Sequence, residues 1–281
     1  MIMFNTKVKN GGIKSQRKSL STWRIDQNTS GAKLLNKTHF TIIIPAYNCE
    51  KWAARNIESA TKQVYNNYDI VYVDDCSTDN TLRVVNEVYK KTNKKFDIVS
   101  NKENKKALYN LYTNISKAKE NTVIITLDGD DFLSNDTVLQ YLDKLYRETD
   151  CWLTAGSYVQ NDNYQVVSPN ASDDYWNNNI RKMPWSFSHL RTFKKELFMK
   201  IKKQDLLDVD GDFYKCTFDR AMMYPMVEMA GKEKIQLISK VLYIYNRFNP
   251  ISVDRVHRKN QLRIEAILNN KPQYERIPSL S

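Results

Sequence analysis

The chain has 281 residues, of which 41% are hydrophobic and 27% are charged, and its formal net charge is +11. This composition is typical of a globular protein with a core, and it excludes a wholly disordered chain. The apolar runs near 41–46 and 122–127 are too short to cross a bilayer, and the N-terminus lacks the apolar stretch of a signal peptide. We therefore expect a cytoplasmic protein without a transmembrane segment, acting in the host cytoplasm if the source is viral.

The positive charge is concentrated at the two ends of the chain. Residues 1–38 hold eight Lys or Arg against one Asp, and residues 247–281 hold seven against three acids, so the part between them carries no net charge. Basic ends bind polyanions such as nucleic acid or an acidic membrane surface, or they only aid solubility. We predict a basic N-terminal arm at 1–38, because this stretch lacks sustained periodicity.

The cysteines do not follow a metal-binding pattern. Cys49, Cys76, Cys151 and Cys216 are scattered, and the chain has three histidines. This argues against a zinc site, and scattered free cysteines fit a reducing compartment.

The first half of the chain alternates between buried strands and amphipathic helices. Strands are predicted at 39–48, 68–81, 96–101 and 121–128, and helices at 50–63, 81–92 and 107–119. This alternation predicts an α/β fold with a mostly parallel central sheet and helices on both faces. Ligands of such sheets bind beyond the carboxyl ends of the strands.

The second half is less regular. Strands are predicted at 151–160 and 240–246, helices at 136–146, 219–231 and 258–270, a helix in the second half of 188–201, and a loop-rich stretch at 166–185. Gly231 is the expected C-cap of the helix that contains Pro225.

Three polar signatures stand at the ends of the predicted strands. They are Pro45-Ala46-Tyr47-Asn48, Asp74-Asp75, and the acidic group Asp128, Asp130 and Asp131. We expect them to converge on one crevice. Clustered carboxylates repel each other unless a cation offsets them, and an Asp-x-Asp pair after a strand suits a metal–diphosphate complex. The alternative is an acidic loop without a ligand.

Five segments of the chain form a recognisable set: "TIIIPAYN", "VYVDDCSTDNT", "IITLDGDDFL", "FDRAMMYPMVEMAG" and "LYIYNRFNPIS". Together they resemble glycosyltransferase family 2, which has the GT-A nucleotide-sugar-binding fold. The resemblance covers about 39–276 and is closest to a branch of bacterial and viral or phage members. It implies a nucleotide-sugar-binding half at 39–150, and an acceptor-binding half with a basic C-terminal helix at 151–281.

The resemblance also implies roles for the strand-end residues. Pro45, Ala46 and Tyr47 would line the base pocket. Asp75, with Asp74 beside it, would accept a hydrogen bond from the base, which we expect to be uracil. Asp128 would face the ribose or the metal, Asp130 would ligate Mn²⁺ or Mg²⁺, and Asp131 would contact the sugar or support the metal.

Members of this type invert the anomeric centre and need a carboxylate as general base. Our candidate is Asp219, and Glu228 is the alternative. Both cannot face the same side of one helix, because nine residues make two and a half turns. Asp210 and Asp212 are weaker candidates, and Asp219 could instead be a helix N-cap.

A further segment, "HLRTF", lies on the acceptor side in relatives. His189 would hold the acceptor or the sugar, or be a satisfied core histidine, and Arg191 would hold the diphosphate. Trp185 is an acceptor platform or a core residue.

The chain also departs from the family pattern. It has Asn249 where relatives carry a metal-binding histidine, and the next histidine is His257. Lys105 and Lys106, in place of a Gly-containing segment, would reach a phosphate or face solvent.

We therefore expect a metal-dependent, inverting hexosyl- or pentosyltransferase that uses a UDP-sugar. The basic ends favour a hydroxymethylated base of phage DNA as the acceptor, and a cell-surface or capsular glycan is the alternative. A catalytically inactive nucleotide-sugar-binding module is the alternative of another class. The sequence does not identify the sugar, the linkage or the oligomeric state.

Overall fold

The structure is a computed structural model that describes residues 37–256 and 258–280. The predicted arm at 1–38 therefore lies outside the described residues except for Lys37 and Thr38, and His257 lies outside them too.

The elements follow one another in the order expected for an α/β fold. The strands are β1 (His39–Ala46), β2 (Tyr68–Asp74), β3 (Asp97–Ser100), β4 (Thr122–Thr126), β5 (Phe132–Leu133), β6 (Leu153–Gln160), β7 (Val166–Val167), β8 (Arg191–Lys194) and β9 (Ile235–Tyr245). The helices are α1 (Ala53–Thr61), α2 (Thr81–Lys91), α3 (Lys106–Lys117), α4 (Val138–Glu148), α5 (Asp173–Asn177), α6 (Lys195–Met199), α7 (Phe218–Ala230), α8 (Val253–Val256) and α9 (Arg258–Asn270). Short 3-10 helices span Ile180–Lys182, Lys203–Leu206 and Lys232–Lys234.

One sheet runs through both halves of the sequence, in the order β3-β2-β1-β4-β8-β6-β9-β5, with β7 beside β6. The strands β1 to β4 are all parallel. Beyond them the sheet is mixed, because β8 pairs antiparallel with both β4 and β6. The α/β class and the parallel first half are confirmed, and the pairing of β4 with β8 joins the halves 39–150 and 151–281.

Helices cover both faces of the sheet, as the alternation predicted. Side chains of β1 alternate between two cores, with Ile43 in one and Phe40, Ile42 and Ile44 in the other. Buried residues of α3, α6, α7 and α9 pack with Ile43, and those of α1, α2 and α4 pack on the opposite face. Period-two alternation in a strand buried on both sides produces this division.

Several elements differ from the prediction, most of them in the second half. The short strands β5, β7 and β8 and the short helices α5 and α8 were not predicted, and β9 begins at Ile235 rather than at 240. The other predicted elements are present, α9 at 258–270 as expected, and α7 contains Pro225 and ends at Gly231, whose φ is +67°. No helix within the described ranges is long and apolar enough to cross a membrane.

Candidate active site

A cleft of about 550 Å³ opens beyond the carboxyl ends of β1, β2 and β4. Thirteen of the residues singled out in the sequence line it: Pro45, Ala46, Tyr47, Asn48, Asp75, Lys106, Asp128, Asp130, Asp131, His189, Arg191, Asp219 and Asn249. The strand-end signatures therefore do converge, and residues from the second half complete the same cleft. Asp74 is not among the lining residues; it is buried below the cleft, where its Oδ2 accepts a hydrogen bond from Ser77 N at 3.3 Å.

The acidic loop between β4 and β5 lies tightly against the end of β1. A Cβ atom added to Gly129 would lie 2.5 Å from Ala46 Cβ, and Gly129 N donates to Pro45 O at 3.1 Å. Only glycine permits so close an approach. This contact places Asp128 and Asp130 over the end of β1.

Helix α1 holds the same loop through a residue that was not predicted from the sequence. Asn56 is fully buried, and its Nδ2 donates to Asp128 O at 2.9 Å and to Asp131 O at 2.7 Å. Asn56 lies on the apolar stripe of α1, between Ala53 and Ile57. A polar residue on a buried helical face was the signal that could have revealed it.

Asp131 faces inward and is held on both oxygens. Tyr243 Oη donates to its Oδ2 at 2.6 Å, and Asn246 N donates to its Oδ1 at 2.7 Å. Burial, together with the charges of Asp130 and Asp128, raises the pKa of Asp131 well above its usual value. Asp131 is thus more deeply buried than Asp128 and Asp130, and its two hydrogen bonds fix the end of β9 to the acidic loop.

Arg191 lies between two carboxylates from different halves of the chain. Its guanidinium is 3.8 Å from Asp128 Oδ2 and 3.7 Å from Asp219 Oδ2, and the side chain is 2% exposed. Burial raises the pKa of Asp128 to about 6, while Arg191 opposes this shift and Asp130 and Asp219 add to it. One buried cation thus lies within 4 Å of two carboxylates, Asp128 and Asp219.

His189 is a neutral imidazole in this environment. Burial and the neighbouring Arg191 lower its pKa well below the usual value. Its Nδ1 lies 3.2 Å from Arg191 Nη2, and a guanidinium can only donate, so Nδ1 accepts and Nε2 carries the proton. The ring stacks on Tyr243 with centroids 4.5 Å apart. Its protonated Nε2 is therefore a hydrogen-bond donor.

Asp219 lies in the first turn of α7 with 28% of its side chain exposed. It is not the N-cap, since that position is taken by Thr217, whose φ of +56° is unusual for a β-branched residue. The backbone turn at Thr217 directs the start of α7 into the cleft, where Asp219 meets Arg191.

Glu228, the alternative base, lies outside the cleft. It is buried in a two-pronged ion pair with Arg181, at 2.6 and 2.7 Å, and it also accepts from Tyr274 N at 3.0 Å. Its carboxylate has no access to a substrate and joins α7 to the C-terminal segment. The structure therefore corrects this alternative: only Asp219 of the two reaches the cleft.

Asp75 accepts three hydrogen bonds from the loop before α3. Lys105 N and Asn101 Nδ2 donate to its Oδ1, and Lys106 N donates to its Oδ2, each at 2.8 Å. Lys106 lines the cleft, and its ammonium lies 5.7 Å from the centre of the Tyr47 ring. Asp75 thus shapes one end of the cleft as well as lining it.

The remaining predicted residues have varied positions. Asn249 lines the cleft, and its Nδ2 donates to Asp130 Oδ2 at 2.6 Å. Trp185 does not line the cleft; it packs edge-on against Phe187 and Tyr224. Asp210 and Asp212 also lie outside the lining and pair with Lys215.

A group of metal-binding side chains is present at the cleft. One ligand atom from each of Asp128, Asp131 and His189 lies within 4.8 Å of the other two. Carboxylate oxygens are the ligands that a hard divalent cation prefers. Burial and the charges of neighbouring acids raise the pKa of both Asp128 and Asp131, and a bound cation would offset this repulsion between the carboxylates. Nδ1 of His189 accepts from Arg191 and its Nε2 carries the proton, so the carboxylate oxygens are better metal ligands than this histidine.

Solved structures share this fold. The S. aureus protein TarS 1–349 in complex with UDP-GlcNAc superimposes with a TM-score of 0.61 at 18% identity, over 85% of this chain and 68% of that one. The mannosyltransferase PcManGT from Pyrobaculum calidifontis, in complex with GDP-Man and Mn²⁺, gives 0.54 at 18% identity over 75% and 57%. At these identities the likeness establishes the GT-A fold alone.

Sequence comparison identifies the family. Residues 41–213 match the family described as glycosyl transferase family 2. The chondroitin synthase of Escherichia coli is 32% identical over 47% of this chain and 19% of its own length, and GlyG of Streptococcus pneumoniae is 24% identical over 74% and 70%. The chain spans at most 32% of the length of the first three curated relatives it matches.

The fold and the position of the cleft are thus those of the GT-A type. The chain belongs to glycosyltransferase family 2.

Proposed function

We propose that this chain is a metal-dependent, inverting glycosyltransferase that moves a hexosyl or pentosyl group from a UDP-sugar to an acceptor hydroxyl. The observation that carries the proposal is the meeting of Asp128 and Asp219 at Arg191. Asp128 follows β4 in the donor half, whereas Asp219 begins α7 in the acceptor half. A transferase needs this arrangement, because donor and acceptor must react at the junction of their sites.

Asp128 and Asp130 would hold Mn²⁺ or Mg²⁺. The crowding of carboxylates in the cleft supports this fit: one ligand atom from each of Asp128, Asp131 and His189 lies within 4.8 Å of the other two, and the charge of Asp130 adds to the raised pKa of Asp128. When bound, the cation neutralises charge on the diphosphate leaving group. Asp131 would keep the loop in place through its bonds to Tyr243 and Asn246, and Arg191 would remain a buried positive charge facing the diphosphate.

The chemical step assigns one proton to Asp219. Its carboxylate accepts the proton of the acceptor hydroxyl while that oxygen forms a bond to the anomeric carbon, and the bond from that carbon to the diphosphate oxygen breaks. Attack from the face opposite the leaving group inverts the centre. Asp219 is accessible enough to meet an acceptor, and the guanidinium of Arg191 at 3.7 Å orients it.

The nucleotide would lie across Pro45, Ala46 and Tyr47, with its base toward Asp75. Support for uracil comes from the UDP-GlcNAc complex of the structural relative TarS. PcManGT binds GDP-Man on the same fold, so the fold alone does not determine which base is bound. The residues that line the base pocket determine it. The loop at Lys105–Lys106, fixed by Asp75, would close the pocket around the base.

The acceptor that we propose is an anionic polymer with free hydroxyl groups. One relative is named as a poly(ribitol-phosphate) transferase and another as a chondroitin synthase, 33% and 32% identical over the matched segments. The basic ends of the chain have the complementary charge. A hydroxymethylated base in DNA meets the same charge requirement and is the second candidate acceptor.

The assignment of the base is tested with Asp219→Asn. We expect UDP to bind with unchanged affinity in calorimetry, while sugar transfer falls roughly 100- to 10,000-fold, because only proton acceptance is removed. Glu228→Gln is the comparison, and it should retain transfer wherever the protein is folded. Loss of UDP binding in Asp219→Asn would instead indicate a structural role, and absence of transfer in the parent protein with every UDP-sugar would favour an inactive binding module.

The metal assignment is tested with Asp130→Ala. We expect the gain in UDP affinity on adding Mn²⁺ to fall at least about tenfold, because a direct oxygen ligand is lost. Asp97→Ala removes an exposed carboxylate from β3 and should leave that gain unchanged. Equal Mn²⁺ dependence in both variants would contradict the assignment.

A further inference from the structure

A second pocket lies beside the cleft and shares none of the cleft's lining residues. Its volume is about 420 Å³. The residues used below are Lys51, Trp52, Arg55, Tyr164, Asn246 and Phe248, which come from the start of α1, the turn after β6 and the segment after β9.

The end of β9 and the segment after it form the common wall of the cleft and the pocket. Tyr245 and Asn249 line the cleft, whereas Ile244, Asn246 and Phe248 line the pocket. This is the side-to-side alternation of extended chain. The wall is fixed to the acidic loop, because Asn246 N donates to Asp131 Oδ1 at 2.7 Å. A molecule in the pocket would therefore lie next to the metal-binding acids.

Aromatic and cationic side chains surround the mouth of the pocket. Tyr164 is 81% exposed and Phe248 is 62% exposed, while Trp52 is half-buried. The Arg55 guanidinium lies 4.1 Å from the centre of the Phe132 ring, and Lys51 is exposed. Exposed aromatic faces next to cations suit a ring-shaped polar molecule that bears negative charge.

A buried amide at the pocket lacks one of its hydrogen bonds. Asn246 is 2% exposed, and its Oδ1 accepts from Asn161 Nδ2 at 2.9 Å and from Phe248 N at 3.1 Å. Its Nδ2 has no hydrogen-bond partner in the part of the chain that the structure describes. Buried donors are normally paired, and Asn246 lines the pocket, so a molecule bound there can supply the missing acceptor atom.

We propose that this pocket binds an anionic saccharide or polyol unit of the acceptor chain, several atoms away from the reacting hydroxyl. The inference rests on the proposed function and names the acceptor class more closely. Stacking on Tyr164 and Phe248 fits a sugar ring, Lys51 and Arg55 fit a carboxylate or phosphate, and Asn246 fits a hydroxyl or carbonyl oxygen. A nucleic-acid strand would require a longer row of cations than the two that line the pocket.

Direct binding to the full chain tests the proposal without relying on transfer. The probes are a hyaluronan oligosaccharide with carboxylates, a synthetic ribitol phosphate oligomer, an uncharged cello-oligosaccharide and a single-stranded oligodeoxynucleotide, each titrated with UDP and Mn²⁺ present. We expect one or both anionic polyhydroxyl probes to bind and the uncharged one to bind at least about tenfold more weakly. The two anionic probes distinguish carboxylate from phosphate as the recognised group.

The variants Tyr164→Ala and Lys51→Glu should each weaken that binding about tenfold. Lys90→Glu, the same charge change on the exposed surface of α2, should not weaken it. Unchanged affinity in both pocket variants would overturn the proposal, as would binding of the oligodeoxynucleotide alone or equal binding of the uncharged probe. Affinity for UDP is measured in the same samples, so a failure of the donor site is distinguished from a failure of the pocket.

Discussion

At the scale of single residues, the arrangement of the cleft depends on close approaches between side chains and backbone from different parts of the chain. Gly129 allows the acidic loop to touch Ala46, and Arg191 lies within 4 Å of two carboxylates without a short bond to either. The long distances leave the guanidinium and the carboxylates free to form shorter bonds with a substrate. Asp128 and Asp219 therefore differ from Glu228, which is fully engaged with Arg181.

Gly129→Ala tests the close approach at the acidic loop. The added Cβ would overlap Ala46, so we expect the unfolding free energy to fall by about 1–3 kcal/mol and Mn²⁺-dependent UDP binding to weaken. Urea unfolding and calorimetry measure the two effects. The double variant Gly129→Ala with Ala46→Gly removes one of the overlapping atoms and should recover part of both effects; no recovery would assign the cost to the overlap with Ala46 Cα and Pro45 O, which would lie at 2.9 and 3.1 Å.

At the scale of elements, the second half supplies residues to a site whose frame is the first half. Strand β8 carries Arg191 beside β4, and α7 brings Asp219 to the same place. The other end of α7 is fixed by the buried pair of Glu228 and Arg181, and Arg181 Nη1 also donates to Leu268 O of α9 at 3.0 Å. The buried pair thus joins α7 to the 3-10 helix at Ile180–Lys182 and to α9, outside the cleft.

Glu228→Gln tests this link between elements. It leaves the buried Arg181 without its counter-charge, and we expect the unfolding free energy to fall by about 3–5 kcal/mol. The matched control is Glu233→Gln, which breaks an exposed pair with Arg276 and should cost at most about 1 kcal/mol. Urea unfolding of both variants measures the difference, and equal destabilisation would show that the buried pair has no special weight.

The sequence predicts the residues at the strand ends of the site better than the residues that hold them in place. Pro45, Asp75 and Asp128 were located because apolar runs mark where strands end, and the parallel order brings those ends together. The role of Asn56 could not be predicted, because its partners are backbone oxygens 72 and 75 residues away. For the same reason Glu228 remained an alternative base until Arg181, 47 residues earlier in the chain, was placed beside it.

At the scale of the whole molecule, the uneven distribution of charge along the chain affects its binding to an anionic polymer. Residues 1–36, which the structure does not describe, hold most of the excess Lys and Arg of the N-terminal end. Counterion release makes the binding of such a segment to a polyanion strongly dependent on salt.

Removal of residues 1–36 tests the role of this charge. We expect the slope of log Kd against log salt concentration to decrease for the shortened chain, by about 0.9 for each phosphate of duplex DNA that it no longer neutralises, and to decrease also with a ribitol phosphate oligomer. The polymer that shows the larger change is the better acceptor candidate. Identical slopes for the full and shortened chains would show that residues 1–36 take no part in polyanion binding.

The short acidic loop has a consequence for the thermodynamics of ligand binding. It joins β4, which pairs with β1 and β8, to β5, which pairs with β9, and Asn56 holds its carbonyl groups from α1. Its backbone has therefore already lost its conformational entropy when the chain folds. A cation and a nucleotide-sugar that bind to this loop need not order it, so more of their interaction energy remains as affinity.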